Sequence, residues 1–362
     1  MPSSPSHPSR QSDVDQTSFV ALSLAPFRWR RRTAERLHAG DSPERILAAL
    51  SAEQPPDREI DRQTLAARAK AAMARAKSDG IALVTWGDSA YPAALSAIVD
   101  PPPALWVRGN IAALSGPAVA IVGSRAGSPY GLTVAERLAA DLAARGIVIV
   151  SGLARGVDSA AHRGALAAPG VTIGVLGSGV DVVYPAEHRS LAGDIEANRG
   201  AIVSELVPGT PPQPQFFPLR NRIISGLSRA VLIVEAGEKS GSLITARCAL
   251  DQGRDVLAVP GNVLSGRNRG GHGLLRDGAK IVESADDILE ELGIPAPGRP
   301  GASAQDDHGD AVLRGLPPGE SCDLEAISER TGLGPTRLLP RLFDLEMRGL
   351  VKRVGGGRFA RV

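Results

Sequence analysis

Short runs of branched apolar residues alternate with helix-forming segments through the middle of this chain. The runs are nearly uninterrupted and bounded by glycine, which is typical of strands buried on both faces of a sheet. The intervening segments, such as residues 132–145 and 243–252, have helical apolar spacing. This alternation predicts a doubly wound, mostly parallel α/β sheet covered by helices on both faces. The predicted strands are Ala118–Val122, Ile147–Val150, Val171–Leu176, Ala201–Ser204, Ala230–Val234 and Asp255–Val259.

Shifts in composition divide the 362 residues into five predicted parts. Residues 1–18 are polar, rich in Ser and Pro, and lack the apolar segment of a secretory signal, so they predict a disordered tail. Residues 19–77 predict a small helical domain, and the sheet is placed at 80–292. The Pro-, Gly- and Asp-rich stretch 293–310 is interpreted as a linker. Residues 311–362 show the order helix, turn, helix and Gly-tipped hairpin, which predicts a winged helix-turn-helix.

Charge and cysteine usage limit the class of protein. The chain has 41 basic and 39 acidic residues, so its total charge does not identify a polyanionic partner. Cys248 and Cys322 lie far apart and form neither a disulfide framework nor a zinc spacing, which predicts a reduced, cytoplasmic protein. No run approaches the ~20 apolar residues of a membrane helix. Aromatic residues are only 3%, which argues against binding mainly by base stacking.

Two segments concentrate basic residues. The first lies near the N-terminus and is interpreted as a solvated helix face, with a nucleic-acid contact as the alternative. The second lies in the winged-helix segment, and it is equally consistent with a nucleic-acid contact and with a protein-interaction module of the same shape. The first segment contains Arg28, Arg30, Arg31, Arg32 and Arg36; the second contains Arg341, Arg348, Lys352, Arg353, Arg358 and Arg361.

Glycine-rich loops follow five of the predicted strands. The carboxyl ends of parallel strands share one edge of a sheet, and ligands bind beyond that edge. Glycine lets the backbone approach an anion, and a following helix directs its free N–H groups at it. Arg125, Arg155 and Lys239 add positive charge in three of these loops. Together the loops predict several phosphate positions, as on a nucleic-acid backbone or an extended nucleotide.

A later segment, residues 216–227, opens an apolar helix with polar residues. Arg220 and Arg222 either reach a phosphate or pair with Glu205 or Glu235 inside the fold. Phe216 and Phe217 are expected to be buried under the sheet, with stacking on a base as the alternative. The full set of candidate phosphate-binding residues is Gly123, Ser124, Arg125, Gly152, Arg155, Gly156, Arg220, Asn221, Arg222, Lys239, Ser240, Gly241 and Ser242.

Catalytic and cofactor motifs are weak or missing in the sequence. The first loop departs from G-x-G-x-x-G, and Lys239-Ser240 lacks the preceding glycines of a Walker site, so no nucleotide cofactor and no metal are predicted. Asp158 and His162 are interpreted as a helix cap with a local ion pair. Glu235 is either a general base or a partner for an arginine. No other nucleophile–base set stands out.

Several long motifs in a fixed order are similar to those of the DprA/Smf family, the bacterial DNA-processing protein A. The resemblance is close over about residues 91–290 and looser over the flanking domains. The matching motifs are Tyr91-Pro92, Asp100-Pro101-Pro102, Gly123-Ser124-Arg125, Ser151-Gly152-Leu153-Ala154-Arg155-Gly156-Val157-Asp158, Gly177-Ser178-Gly179, Tyr184-Pro185, Phe217-Pro218-Leu219-Arg220-Asn221-Arg222, Glu235-Ala236-Gly237-Glu238-Lys239-Ser240-Gly241-Ser242 and Val259-Pro260-Gly261.

The resemblance implies an extended Rossmann-like core that binds single-stranded DNA without catalysis. It also implies protection of incoming DNA, loading of the RecA recombinase during natural transformation, and a homodimer formed through the core. The N-terminal helices are expected to resemble a sterile-alpha-motif fold. By motif match, the DNA-contacting candidates are Arg125, Gly152, Arg155 and residues 239–242.

Two departures from the family pattern stand out. Ala186, Glu187 and His188 follow Tyr184-Pro185, where a basic residue and an Asn are frequent, which weakens a phosphate contact there. His272 stands where an Asn is usual. Two alternative functions remain: a Rossmann-like nucleotide hydrolase and a winged-helix regulator with a ligand-sensing core.

Overall fold

A computed structural model describes residues 13–53, 61–294, 311–317, 320–347, 350–354 and 357–361 of the chain. The chain divides into two compact units, Met1–Ile294 and Pro295–Val362. Most of the predicted linker, residues 295–310, lies outside the described residues, as do residues 1–12 of the predicted tail.

The first unit is built on one sheet, which has nine strands within the described residues. Its strand order is β1-β2-β6-β5-β4-β3-β7-β8-β9. Strands β3 to β9 pair in parallel, whereas β2 pairs antiparallel with both β1 and β6. The predicted Rossmann-like α/β class is therefore confirmed. The strands are β1 Ala82–Thr85, β2 Ala104–Gly109, β3 Ala118–Val122, β4 Val148–Ser151, β5 Thr172–Val175, β6 Ala201–Ser204, β7 Ala230–Ile233, β8 Asp255–Ala258 and β9 Lys280–Ile281.

Helices connect the strands and begin at recognisable sequence signals. Ser128 caps the helix after β3, accepting a hydrogen bond from the Gly131 N–H, and Pro129 occupies its first turn. Ser284 and Asp287 form a capping box. The helices of this unit are α1 Asp13–Leu24, α2 Arg30–His38, α3 Pro43–Ala52, α4 Arg62–Ser78, α5 Ala93–Ser96, α6 Pro129–Ala143, α7 Val157–Ala167, α8 Arg189–Ala197, α9 Phe216–Gly226, α10 Ser242–Asp251, α11 Arg269–Arg276 and α12 Ala285–Glu291.

The central strands are buried on both faces, as their apolar runs predict. In β3, Val119 and Ile121 belong to the core under α6, α7 and α12. Ala120 and Val122 belong to the opposite core, under α9 and α10. Each large aliphatic side chain buried in this way stabilises the fold by about 1.5–3 kcal/mol. This two-sided core fixes the carboxyl edge of the sheet as a rigid platform.

The N-terminal helices share a hydrophobic core with the sheet. Trp29, Ile46 and Leu50 pack in one cluster with Trp106 of β2 and Ile202 of β6. Helix α1 begins at Asp13, so residues 13–18, predicted as disordered, are helical. The polar composition of these residues gave no helix signal. The buried apolar residues Phe19 and Val20 follow them in the same helix.

The second unit is a winged helix. Its three-stranded sheet has the order β10-β12-β11, with both pairings antiparallel. Cys322 lies in a strand, and the next helix begins after Asp323, whose side chain caps it by accepting from the Ala326 N–H. Arg348 of the basic segment is outside the described residues. The elements are α13 Ala311–Gly315, β10 Ser321–Cys322, α14 Leu324–Thr331, α15 Pro335–Met347, β11 Val351–Val354 and β12 Arg358–Arg361.

Candidate functional site

A cleft of the first unit lies at the point where the strand order reverses. Strands β4 and β7 flank β3, and the loops after these three strands open into one cleft of about 880 Å³. A doubly wound sheet places its ligand site at such a switch point. The cleft is lined by residues 122–126, 154, 158, 184, 214, 217–218, 220–221, 224, 237, 239–242 and 244–245.

The loop after β3 is held by close backbone packing. The Ser124 N–H donates to the Glu235 carbonyl over 2.7 Å, and the Val157 N–H donates to the Ser124 carbonyl over 3.2 Å. A Cβ on Gly123 would lie 2.7 Å from Val157 Cγ2. Gly156 has φ +75° and no space for a Cβ beside the Ser124 carbonyl. Gly156 lines neither this cleft nor its smaller neighbour, so its contribution is to shape the loop.

Arg125 and Lys239 supply the free positive charge of the cleft. Both side chains are exposed. No carboxylate of the described residues lies within ion-pair distance of either one. The Arg125 guanidinium lies 5.5 Å from the centroid of the Phe217 ring, a cation–π arrangement that holds it over the cleft.

The loop after β7 leads into the N-terminus of α10. Ser240 Oγ and Ser242 Oγ are 2.7 Å apart, and Asn221 Nδ2 donates to the Gly241 carbonyl over 3.4 Å. Serine hydroxyls and the positive end of a helix dipole both favour an anion. The structure thus gathers residues 239–242 and Asn221 on one wall of the cleft.

Arg220 forms the floor between the two walls. Its guanidinium donates to the Gly152 carbonyl over 2.5 Å and also to the Val175 carbonyl. Burial lowers the pKa of Arg220 to about 10, so the group stays charged at neutral pH. A Cβ on Gly152 would collide with the Arg220 guanidinium, so a glycine is needed at that position. Arg220 therefore adds a buried positive charge to the cleft lining. It also links the ends of β4 and β5 through its two carbonyl partners.

A smaller cavity adjoins the cleft and shares Arg125, Tyr184, Phe217 and Arg220 with it. Arg155 lines this smaller cavity and is absent from the lining of the larger one. It is paired with Glu187 through two hydrogen bonds of 2.7 Å. These bonds raise the pKa of Arg155 and lower the pKa of Glu187.

Arg222 lines neither cavity and is ion-paired inside the fold, which is the alternative that the sequence left open beside a phosphate contact. Its guanidinium is 2.5 Å from Glu205 Oε2 and 3.0 Å from Asp100 Oδ2, and its side chain is buried. Glu205 also pairs with Arg30 of α2 over 3.0 Å. Residues two apart on a helix point in different directions. On α9, Arg220 therefore lines the cleft, whereas Arg222 points into the interior.

The carboxylates considered for catalysis have structural partners. Glu235 accepts hydrogen bonds from the backbone N–H and the hydroxyl of Ser128, so it holds the start of α6 instead of an arginine. Asp158 accepts from the Gly152 and Ala154 N–H groups. His162 bonds Thr172 Oγ1 over 2.7 Å, and burial lowers its pKa to about 3. The predicted cap is wrong, because Gly156 is the N-cap of α7 and Asp158 binds the loop ahead of the helix. The predicted Asp158–His162 ion pair is replaced by the bond from His162 to Thr172.

Tyr184 lines the cleft, an aromatic contact that was missed from the sequence. Phe217, expected to be buried, is half-buried and faces Tyr184 across 5.5 Å between ring centroids. Asn268 was also overlooked: it accepts from the Ala236 N–H and donates to the Val259 carbonyl, which ties the loop after β7 to the loop after β8. Its single signal in the sequence was its position shortly after the Pro260-Gly261 motif.

The arginine segment of α2 is an ion-paired surface. Arg31 pairs with Glu35, Arg32 with Glu53 and Arg36 with Asp41. Together with the Arg30–Glu205 pair, these contacts favour the interpretation as a solvated, structural helix face.

Helix α15 of the winged helix exposes apolar side chains. Leu339 is 45% and Phe343 59% exposed, one helical turn apart, and Arg337 is also exposed. Helices that read base edges do so mainly with polar side chains. The exposed ridge therefore favours a protein contact over base readout for this helix.

The fold defines a Rossmann-like core with a glycine-rich cleft in the first unit and a winged helix in the second. A family model described as DNA recombination-mediator protein A matches residues 82–293, and one described as the DprA winged helix domain matches residues 295–357. The chain belongs to the DprA/Smf family of DNA-processing proteins. Among the described residues, no helix is long and apolar enough to cross a membrane, and no group of metal-ligating side chains is present.

Relatives cover most of the chain. It is 42% identical over 277 residues to Protein Smf of Escherichia coli K12, which is 74% of each chain. The X-ray structure of DprA from Streptococcus pneumoniae matches with TM-score 0.58 and 41% identity, over 64% of this chain and 82% of that one. A structure of Helicobacter pylori DprA, concerned with its single-stranded DNA binding mode, matches with TM-score 0.53 and 32% identity, over 58% and 95%.

Proposed function

We propose that the cleft binds the backbone of single-stranded DNA. The observation that carries this proposal is that Arg125 and Lys239 both line a glycine-rich cleft at the switch point, and neither has a carboxylate partner among the described residues. Arg125 grips a phosphate through two N–H groups, whereas Lys239 acts as a point charge. The buried charge of Arg220 and the N-terminus of α10 add to the attraction.

The aromatic pair beside Arg125 supports a preference for single strands. Tyr184 is 46% exposed and lies against Phe217 at the cleft wall. The unpaired bases of a single strand can stack on such rings, whereas the bases of a duplex are already stacked on each other. Stacking of this kind has little sequence preference. Phosphate contacts therefore supply most of the affinity, with little base readout.

The activity we infer is binding without chemistry. Glu235, the carboxylate that a nucleotide hydrolase would use, is committed to Ser128. Incubation with nucleoside monophosphates is expected to release no free base, and release of base would support the hydrolase instead.

The family membership also supports proposals about partners. We infer a cytoplasmic homodimer formed through the core, which protects incoming DNA and loads the RecA recombinase onto it. Sedimentation at several concentrations tests the dimer. The rate at which RecA assembles on DNA coated with single-strand-binding protein, with and without this chain, tests the loading.

Fluorescence anisotropy with a labelled single-stranded oligonucleotide tests the binding proposal. Wild type is titrated at several salt concentrations and competed with duplex. Arg125→Glu and Lys239→Glu are compared with Arg31→Glu, a charge reversal on the ion-paired face of α2.

We expect single-strand preference and a log–log salt slope of about −0.7 for each phosphate neutralised. Both cleft variants lose binding, and Arg31→Glu keeps it. A slope near zero, or equal binding by all variants, would show that DNA does not bind in the cleft.

A further inference from the structure

Arg155 and Glu187 form a two-pronged ion pair at the rim of the smaller cavity. Arg155 Nε donates to Glu187 Oε1 and Arg155 Nη2 donates to Glu187 Oε2, each over 2.7 Å. Both side chains stand in solvent, 61% and 52% exposed. The pair thus lies where a ligand entering the cavity meets it before reaching Arg220 below.

A carboxylate and a phosphate bind a guanidinium in the same way. Each presents two oxygens to the parallel N–H groups of the arginine fork. While Glu187 occupies both N–H groups, they are unavailable to a phosphate. Arg125 differs in this respect, since no carboxylate of the described residues pairs with it.

We propose that Glu187 is a competing ligand that occupies Arg155 until a DNA phosphate displaces it. This inference rests on the proposed single-strand binding. It gives Glu187 the role of lowering the affinity of the site for DNA. Arg155 then contributes to binding only through an exchange of carboxylate for phosphate. The displaced carboxylate stays close to the incoming phosphate and repels it. Arg155 therefore adds little to the net affinity for DNA.

The size of the effect follows from the exposure of the pair. Exposed ion pairs contribute little, and their competition changes an affinity by about two- to five-fold at most. The salt dependence is a sharper measure, because each additional phosphate neutralised steepens the log–log slope by about 0.7.

A double-mutant cycle tests the proposal on the full-length protein. Wild type, Glu187→Gln, Arg155→Gln and the double variant are titrated with the same labelled single strand at several salt concentrations. Glu35→Gln is the matched control, because it removes an equally exposed carboxylate from the Arg31–Glu35 pair of α2. Thermal unfolding of each variant shows that its fold is intact.

Glu187→Gln is expected to bind about two- to five-fold tighter, with a slope steeper by about 0.7. Arg155→Gln alone changes affinity little, and in the double variant it removes the gain. Glu35→Gln leaves affinity and slope unchanged.

Two results would overturn the proposal while leaving the proposed function intact. The first is that Glu187→Gln binds the single strand no more tightly than wild type, while wild type binds it and Arg125→Glu does not. The other is a gain that persists in the double variant, which would mean that Glu187 acts only through its charge. If wild type itself fails to bind single strands, both the proposed function and this inference fail.

Discussion

Helix α2 and the cleft both concentrate arginine, yet they use it differently. On α2, Arg31, Arg32 and Arg36 each pair with a carboxylate: one on the same helix, one at the end of α3 and one in the turn between the two helices. In the cleft, Arg125 and Lys239 face solvent with no carboxylate partner among the described residues. The region with more basic residues is therefore the less suited to bind an anion.

The difference shows that pairing decides what a basic residue does. An arginine that already holds a carboxylate must break that contact before it accepts a phosphate. An unpaired cation beside a helix N-terminus gains the phosphate without losing a partner. Arg222 and Arg155 are both paired with carboxylates. The pairs of Arg222 are buried, whereas the pair of Arg155 is exposed to solvent.

The largest expected effect concerns a buried paired arginine. Arg222→Ala leaves Glu205 and Asp100 without their central partner and is expected to destabilise the protein by about 3–5 kcal/mol. Urea unfolding measures the loss. DNA affinity of the remaining folded protein should be unchanged, and a specific loss of affinity at full stability would return Arg222 to the binding site.

The second effect concerns the unpaired arginine. Arg125→Gln removes a charge-assisted contact of about 1.5–3 kcal/mol, which corresponds to roughly a 10- to 100-fold weaker affinity for single strands. The salt slope should flatten by about 0.7. Stability is expected to stay within about 0.5 kcal/mol of wild type, since the side chain is exposed. A stability loss like that of Arg222→Ala would remove the contrast between the two arginines.

A glycine substitution affects both properties together. In Gly152→Ala the added methyl group collides with the Arg220 guanidinium, which must give up its carbonyl partners. We expect a loss of about 1–3 kcal/mol in stability. Because Arg220 is displaced, single-strand affinity falls as well, and anisotropy alongside urea unfolding measures both. Gly193→Ala on α8, outside both cavities and with nothing within 4 Å of the added Cβ, is the control for the methyl group itself.

The smallest effect is expected on α2. Replacing both Arg31 and Arg32 by Gln removes two charges from exposed pairs, each of which contributes about 0–1 kcal/mol. Single-strand affinity should stay within about two-fold of wild type when measured near physiological salt, where distant charges are screened. A ten-fold loss would show that the paired face also meets DNA.

Much of the sheet and of its loop edge was predictable. Val/Ile-rich runs bounded by glycine are a strong signal, and the six predicted strands all lie in the observed sheet. Strands β1, β2 and β9 were missed. Strand β9 has only two residues, both exposed, so it carries no apolar pattern. Strand β2 directly follows three prolines, which predict an extended connection more readily than a strand.

The sequence by itself determined the doubly wound core, the order of its glycine-rich loops and the residue types that favour phosphate, because these depend on local periodicity and on the backbone freedom of glycine. Only the tertiary structure decided which cations are free. Arg220 and Arg222 belong to one motif, but a helix points them to different sides, one to the cleft floor and one to Glu205 and Asp100. The partners of a charge come from distant parts of the chain, so its pairing, and with it its role, is set by packing.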